Sequence, residues 1–370
     1  MEKKEIKTAL INIKNSQKNI SKGNFRLFFF VADSKGTPIG SLAYTYELAY
    51  KLKQLGYDVR MLYAENEFVG VKDWLGEKYS SLPHFNTSKD NVDISPSDFL
   101  FIPELFSNVM SSVKKLPCKK IAILQSFNFL TELIPYGVTW EKLGIYDCIT
   151  TSSNMKDRLL MIFPKTKVHV IRPSIDEVFQ KSESEGKLLV NIISKDQRVL
   201  NSFIKPFKWM FPIYNFVTFR YINGRSREEE AKYLSEGSIS IWFDTETDFG
   251  YSALEAMACG NIVIGKIPEN NVEWMFKDGE LRNNGVWCYT TIEMQKALGS
   301  VIQTMLYDNI PQKIYDEMES TLSEYTNEKQ VNDLKEVLGK LIKDRTDEFS
   351  VMIDSLEKTI NNLDTKKSKK

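Results

Sequence analysis

Residues 238–266 read SISIWFDTETDFGYSALEAMACGNIVIGK. The apolar run Ser238–Phe243 and the run Asn261–Lys266 both have the length and content of buried strands. Between them lie a polar loop, DTETDFGY, and an alanine-rich segment, SALEAMAC, that ends at Gly260. Strand, loop, helix and strand in this order make a βαβ unit, which requires a parallel sheet. Three acids, Asp244, Glu246 and Asp248, crowd the loop, and a fourth, Glu255, stands one turn into the helix.

In an open parallel sheet, ligands bind beyond the carboxyl ends of the strands, where loops enter helix N-termini. Gly250 lets the backbone approach a ligand closely, and Ser252 is the expected N-cap. The free N–H groups of the helix start suit a phosphate. Glu255 then stands where it can accept hydrogen bonds from a pair of sugar hydroxyls. An amphipathic helix with one exposed glutamate accounts for Glu255 equally well.

The same alternation extends in both directions. From Phe25 the chain reads strand (LFFFVA), glycine-bearing turn (DSKGTPIGS), helix (LAYTYELAYKLKQLG, closed by Gly56) and strand (YDVRMLYA). Further buried strands are expected at Asp98–Pro103, Lys120–Ser126, Asp147–Ser153 and Lys167–Pro173. The polar stretch Gln180–Lys187 reads as an interdomain linker, after which alternation resumes with LLVNIIS and FVTFRYI. Beyond Glu293 the pattern is helical, and residues 328–363 carry many i,i+4 charge pairs around a narrow apolar stripe. The expected organisation is a polar extension over 1–24, one Rossmann-like domain over 25–183, a second over 184–327, and C-terminal helices with a basic tail over 328–370.

The chain has 370 residues, 42% of them hydrophobic, enough for two cores. Lys plus Arg and Asp plus Glu each number 49, so the net charge is zero and there is no strong signal for nucleic-acid binding. The four cysteines, Cys118, Cys148, Cys259 and Cys288, form no CxxC pair, which argues against structural zinc and disulfides and fits a reducing cytosol. The most apolar run near the start, Arg26–Ala32, is too short for a membrane span and lacks a signal-peptide pattern. A soluble, cytoplasmic protein is expected. The lysine-bearing ends MEKKEIK and KKSKK allow weak contact with an anionic membrane surface, although runs this short are usually solvated.

FGYSALEAMACGNIVIG resembles the signature of the GT-B glycosyltransferases, of the retaining family 4 type (glycosyl transferases group 1), in which a Glu, seven residues and a second Glu recur. GRSREEEAKYLSEGSISIWF resembles the helix and strand leading into that signature. VHVIRPSIDEVF resembles the turn that closes the first domain, and GTPIGSLAYTYELAYKLKQLGYDVRML the first βαβ unit. These pieces occur in the family's order over most of residues 25–310. The resemblance implies an α/β fold of GT-B type, with two Rossmann-like, doubly wound parallel-sheet domains facing a cleft and a helical C-terminal extension. The first domain would serve the acceptor and the second a nucleotide sugar.

Carried over residue by residue, the second glutamate of the pair falls on Glu255, implied to hold the donor ribose, with Phe249, Gly250, Tyr251 and Ser252 around it. The first glutamate falls on Thr247, which is not an acid, and Glu246 is the expected shifted replacement beside the donor sugar. The family's diphosphate-binding cations fall in SKDQRVLNSFIKPFKWM, with Arg198 and Lys205 favoured and Lys195 and Lys208 as further candidates. Cations there would stabilise the charge that grows on the leaving phosphate. Gly40 and Ser41 belong to the glycine loop of the first unit, and Gln125 stands at a strand end as a donor to a sugar hydroxyl. The histidine many relatives carry there is absent. His169 reads as structural and His84 as a loop residue.

The implied activity is transfer of a hexose, with retention, from a nucleotide-diphosphate sugar (a UDP-sugar favoured) to an unidentified acceptor, without cofactor or metal. DTETD is the nearest approach to a metal-ligand spacing. A catalytically degenerate GT-B subunit that binds or stabilises a partner is the non-enzyme alternative, and a sugar-nucleotide epimerase is a third.

Overall fold

The computed structural model describes residues 3–182, 188–194, 196–270 and 272–367. The first half contains α1 (Lys3–Ser21), β1 (Arg26–Phe30), α2 (Gly40–Gln54), β2 (Asp58–Tyr63), the single turns α3 (Lys72–Leu75) and α4 (Glu77–Ser80), and β3 (His84–Asn86). It continues with β4 (Phe99–Pro103), α5 (Ser107–Ser112), β5 (Lys119–Leu124), α6 (Phe127–Leu133), β6 (Asp147–Thr150), α7 (Ser153–Ile162) and β7 (Lys167–Val170). The second half contains β8 (Leu189–Ile193), α8 (Arg198–Met210), β9 (Thr218–Ile222), α9 (Arg227–Glu236), β10 (Ile239–Trp242), α10 (Tyr251–Ala258) and β11 (Ile262–Lys266). A small hairpin, β12 (Phe276–Lys277) and β13 (Glu280–Leu281), precedes β14 (Val286–Cys288), α11 (Thr291–Tyr307), α12 (Gln312–Leu322) and α13 (Asn327–Lys367).

The first sheet has the strand order β3-β2-β1-β4-β5-β6-β7 and the second β14-β11-β10-β8-β9. Every pair in both is parallel. Buried on both faces, the strands read as continuous apolar runs, with residues alternating between the two sides. Leu27 and Phe29 of β1 join one core beside Phe99 and Phe101, while Phe28 and Phe30 join the other beside Leu100 and Ile102. Each order reverses direction once, between β1 and β4 in the first sheet and between β8 and β10 in the second. Crevices at such reversals are where doubly wound sheets bind ligands. The stretch 238–266 supplies β10, the loop at the second crevice, α10 and β11.

The ten strands expected from the sequence are present within three residues at their ends. Four were not anticipated: β3 and β14 are three-residue edge strands in polar surroundings, and β12 and β13 form a hairpin of two-residue strands. His84 accordingly lies in β3 rather than in a loop, with its ring bonded to Tyr46 Oη (2.8 Å) and the Leu82 carbonyl (2.7 Å). His169 lies in β7, 3.3 Å from Asp147. Of the expected linker, residues 183–187 lie outside the described residues.

The polar N-terminal stretch is a helix with a use. Ile6, Ile13 and Ile20 of α1 recur every seven residues, and Ile6 and Ile20 are buried. The helix packs along α13, where Lys14 pairs with Glu357 (2.6 Å) and Gln17 donates to Ser350 (2.7 Å). The narrow stripe of α13 (Leu334, Val337, Leu338, Leu341 and Phe349) enters the first domain's core. Lys119 pairs with Glu348 (2.7 Å), and Arg345 donates to the carbonyls of Pro96 and Pro117. The chain therefore crosses between the domains twice, once after β7 and once before α13. At the crossings, the N–H of Ile175 donates to the carbonyl of Tyr325 (2.9 Å). No described helix is long and apolar enough to cross a membrane.

Candidate active site

The β10–α10 loop owes its shape to three tryptophans and a threonine. Trp242, Trp274 and Trp287 pack against one another beneath it. Gly250 takes φ 78°, and a Cβ there would stand 2.9 Å from the Trp242 ring, so only glycine fits. Trp274 Nε1 donates to the Phe249 carbonyl (2.6 Å), and Trp242 Nε1 donates to Ser252 Oγ (3.2 Å). Thr247 Oγ1 accepts from the N–H groups of Gly250 (2.8 Å) and Phe249 (3.3 Å), so this hydroxyl shapes the turn. The expected cap at Ser252 is corrected: Gly250 occupies the N-cap position without a side-chain bond, and Ser252 is already helical.

Asp248 is turned away from its own loop. Its carboxylate does not bond the turn but crosses to the first domain. There it accepts from the Phe127 N–H that opens α6 (2.9 Å) and pairs with Arg158 (2.9 Å), its side chain 1% exposed. Burial holds its pKa above the usual carboxylate range, with the Phe127 N–H and Arg158 pulling the other way. Glu273 makes the matching contact at α7, accepting from Ser153 N–H (3.2 Å) and pairing with Arg172 (2.9 Å). Each carboxylate thus sits at a helix N-terminus, where the dipole favours negative charge.

Glu255 is buried, 7% exposed, rather than solvent-facing. Among the described residues its side chain accepts no hydrogen bond, and its nearest cation, Arg227 at the start of α9, stands 3.8 Å away. Burial, then repulsion from Glu230, pushes its pKa up to about 8 against the pull of Arg227. Glu230 is itself pushed up by burial to about 7. Arg227 is committed to Asp176 (3.0 Å), which also binds Lys78 (3.1 Å). Burial works against the Asp176 charge, but Arg227 and Lys78 outweigh it and hold its pKa below the ordinary range. From the first domain Glu47 faces the same cluster, bonded to Lys51 (2.9 Å) and Ser174 (2.6 Å). Among the described residues the buried Tyr251 hydroxyl has no partner, and its ring lies against Phe249.

On the first domain's side of the crevice, Gln125 Nε2 donates to the Ser41 carbonyl (2.9 Å), tying the end of β5 to the start of α2. The space beside Gly40 is open, and Ser41 Oγ is buried without a partner. Glu104, at the end of β4, accepts from the N–H groups of Gln125 (3.1 Å) and Ser126 (2.9 Å), leaving Oε2 unpartnered. Burial raises its pKa to about 8, opposed by those N–H groups and reinforced by Asp248.

The structure separates the two favoured cations. Arg198 opens α8 beside the second crevice, 92% exposed and paired with Asp196 (2.8 Å). Lys205 lies two turns on, in a shallow depression with Lys208, Trp209, Pro212 and Asn215, and is not brought to Glu255. Lys195 lies outside the described residues. Glu246 is exposed in the loop. With Asp248 turned to Arg158, the acids of DTETD do not converge, and among the described residues no three His, Cys, Asp or Glu side chains group around a metal position.

The structure thus gathers Glu255, Tyr251, Phe249, Gly250 and Ser252 at one crevice, with Arg198 at its edge. Gly40, Ser41 and Gln125 face it from the other domain. Arg227, Asp176, Glu47 and Glu104 were missed: three sit on predicted helices or turns as ordinary charges, and nothing local marks them as buried. The one sequence signal was Asp176, within the IDEVF turn. Chemically, the crevice offers an unsatisfied carboxylate for hydroxyl groups and helix N–H groups for an anion.

No family model matches the chain. It is 28% identical over 222 residues to an alpha-1,6-glucosyltransferase of Actinobacillus pleuropneumoniae serotype 7 (strain AP76), a match covering 58% of this chain and 64% of that protein. The chain therefore spans just under two thirds of that relative. Among solved structures it is similar to a sucrose-phosphate synthase from Thermosynechococcus elongatus, with TM-score 0.58 and 11% identity over 86% of this chain and 100% of that one. It is likewise similar to an alpha-glucosyltransferase in complex with UDP, with TM-score 0.58 and 14% identity over 86% and 99%. At these identities the likeness establishes the fold, which is GT-B with a helical C-terminal region.

Proposed function

We propose that the chain is a retaining glycosyltransferase of the family 4 type that moves a hexose from a nucleotide-diphosphate sugar to an acceptor across the crevice. The carrying observation is Glu255, a buried carboxylate without a hydrogen-bond partner among the described residues, one turn into the helix at the second sheet's reversal point. Two vicinal ribose hydroxyls are the ligand such a group lacks, and their hydrogen bonds would lower its raised pKa. The alpha-1,6-glucosyltransferase relative and the UDP complex favour a UDP-hexose, glucose first.

In this reading the first N–H groups of α10, with Arg198 and Lys195, meet the diphosphate, whose charge grows as the glycosidic bond breaks. The leaving phosphate takes the acceptor proton, so no histidine is required. Glu246 approaches the donor sugar in place of the acid that Thr247 lacks. Cations and helix dipoles carry the diphosphate, so activity is expected to survive EDTA; its loss, restored by magnesium or manganese, overturns metal independence. A cytoplasmic setting belongs to the proposal, motivated by four buried, unpaired cysteines.

The test is a thermal-shift screen over UDP-, GDP-, ADP- and dTDP-sugars. A true donor at about a hundred times its Kd stabilises by roughly 2.7 kcal/mol. No shift with any of them defeats the proposal. A second reading, a non-catalytic subunit, is favoured by Thr247 and by the commitment of Asp248 to Arg158. Donor binding without donor hydrolysis or transfer would select it.

A further inference from the structure

A 31-residue stretch, 197–227, contains six cations (Arg198, Lys205, Lys208, Arg220, Arg225 and Arg227) and no acid, in a chain whose net charge is zero. Its middle section, from the last turns of α8 through the 3-10 turn Pro212–Tyr214, exposes four large apolar side chains: Trp209 (75%), Ile213 (69%), Phe216 (61%) and Met210 (38%). Single exposed hydrophobics are ordinary, but four within eight residues form a patch of the kind that marks an interaction site. The patch is rigidly mounted, because Phe207 and Val217 on either side of it and Tyr214 within it are buried in the second core.

The end of α11 lies beside it. Gln295 donates to the Phe203 carbonyl (2.9 Å) and Gly299 meets the Phe211 ring, so α11 and α8 run side by side in the same direction. That brings the exposed Tyr307 and Leu306 to the same end of the domain. Lys205 and Lys208 border the apolar tip, where Lys208 Nζ donates to the Asn215 carbonyl (3.3 Å) and stands 5.8 Å from the centre of the Phe219 ring. Asp308 follows Tyr307 in the chain, and Glu236 is bonded to Arg220 (2.8 Å).

We propose that this end of the second domain docks on a bilayer bearing anionic headgroups. Indole and other aromatic rings settle at the headgroup level, aliphatic tips enter the acyl boundary, and lysines at the rim meet the anionic surface. Ile213 and Met210 add nothing to a nucleic-acid site, and the lysine rim disfavours a second copy of the same patch. Because α8 runs from the crevice to the patch, docking holds the crevice about 20 Å above the membrane, at 1.5 Å per helical residue.

The full chain is sedimented with vesicles of phosphatidylcholine, alone or with 30 mol% phosphatidylglycerol, between about 50 and 500 mM NaCl, a range over which charge screening tightens severalfold. Expected are at least tenfold tighter binding to the anionic vesicles, weakening with salt, and a tenfold or greater loss in the Trp209→Ser, Ile213→Ser, Phe216→Ser triple variant. That variant should keep its thermal midpoint and its UDP-sugar shift. Quenching of tryptophan fluorescence by brominated lipid should vanish in Trp209→Phe, even if the triple variant proves unstable. Replacing the tail lysines Lys366, Lys367, Lys369 and Lys370 with glutamine should leave binding intact. Any of three results overturns the proposal: no vesicle binding by the parent, unchanged binding by the triple variant, or a concentration-dependent dimer that the triple variant abolishes.

Discussion

Asp248 and Glu255 stand seven residues apart on one loop and helix, both buried, both with pKa values that burial raises. Asp248 has a full set of partners, one N–H and one guanidinium, both in the other domain. Glu255 has only an arginine at 3.8 Å that is already committed to Asp176. A buried carboxylate whose donors come from the protein holds a structure together, whereas one without protein donors is open to a ligand that brings them. The contrast gives Asp248 a place in the contact between the domains and, under the proposed function, leaves Glu255 for the donor.

The strongest way to break the contrast is at Glu255. Glu255→Gln should lower donor affinity at least a hundredfold, about 2.7 kcal/mol, measured by titration calorimetry, and a variant that binds as the parent does would make Glu255 a structural acid. Its stability should move the other way. A carboxyl with a folded pKa near 8 keeps its proton in the folded state after the unfolded chain has lost it, so stability falls as pH rises from the ordinary carboxylate value toward 8. Glu255→Gln should therefore melt above the parent at pH 8, with the gap closing toward pH 5.

Asp248→Ala should cost roughly 2 kcal/mol in chemical denaturation, below the several kcal/mol of a wholly buried pair because Arg158 is part-exposed, and it should leave donor affinity within threefold. A hundredfold affinity loss there would hand the donor role to Asp248. Glu246→Gln sharpens the comparison with an exposed neighbour: turnover should fall about tenfold, 1.4 kcal/mol in barrier, with stability unchanged. Equal turnover in variant and parent would mean the family's first carboxylate has been lost rather than shifted. Smallest is Thr247→Ala, which removes the acceptor for two N–H groups and should cost about 1 kcal/mol of stability, with turnover changed less than threefold.

The sheets were legible because parallel strands buried on both faces must be apolar throughout, as LFFFVA and SISIWF are. Gly250 was legible as a special position, read as room for a ligand, and in the structure the Trp242 and Trp274 rings are what leave no room for a Cβ. Partners distant in sequence were not. Asp248 reads as a turn acid until Phe127 and Arg158 are brought against it from 121 and 90 residues away. Lys205 is favoured as a phosphate ligand by the resemblance alone, and its place on α8 carries it away from the crevice. The N-terminal helix reads as a polar extension for the same reason: three isoleucines are too few to suggest burial until α13 supplies the opposing stripe.

The second crossing of the chain has a mechanical consequence. A GT-B molecule joined by a single linker can both bend and twist about it. Here two straps run between the halves, pinned to each other where Ile175 meets Tyr325, and the second continues into a helix clasped to the first domain along α1. Torsion would have to shear that clasp, while bending about the line of the straps would not. Bending about that line would separate Asp248 from Phe127 and Glu273 from Ser153 together.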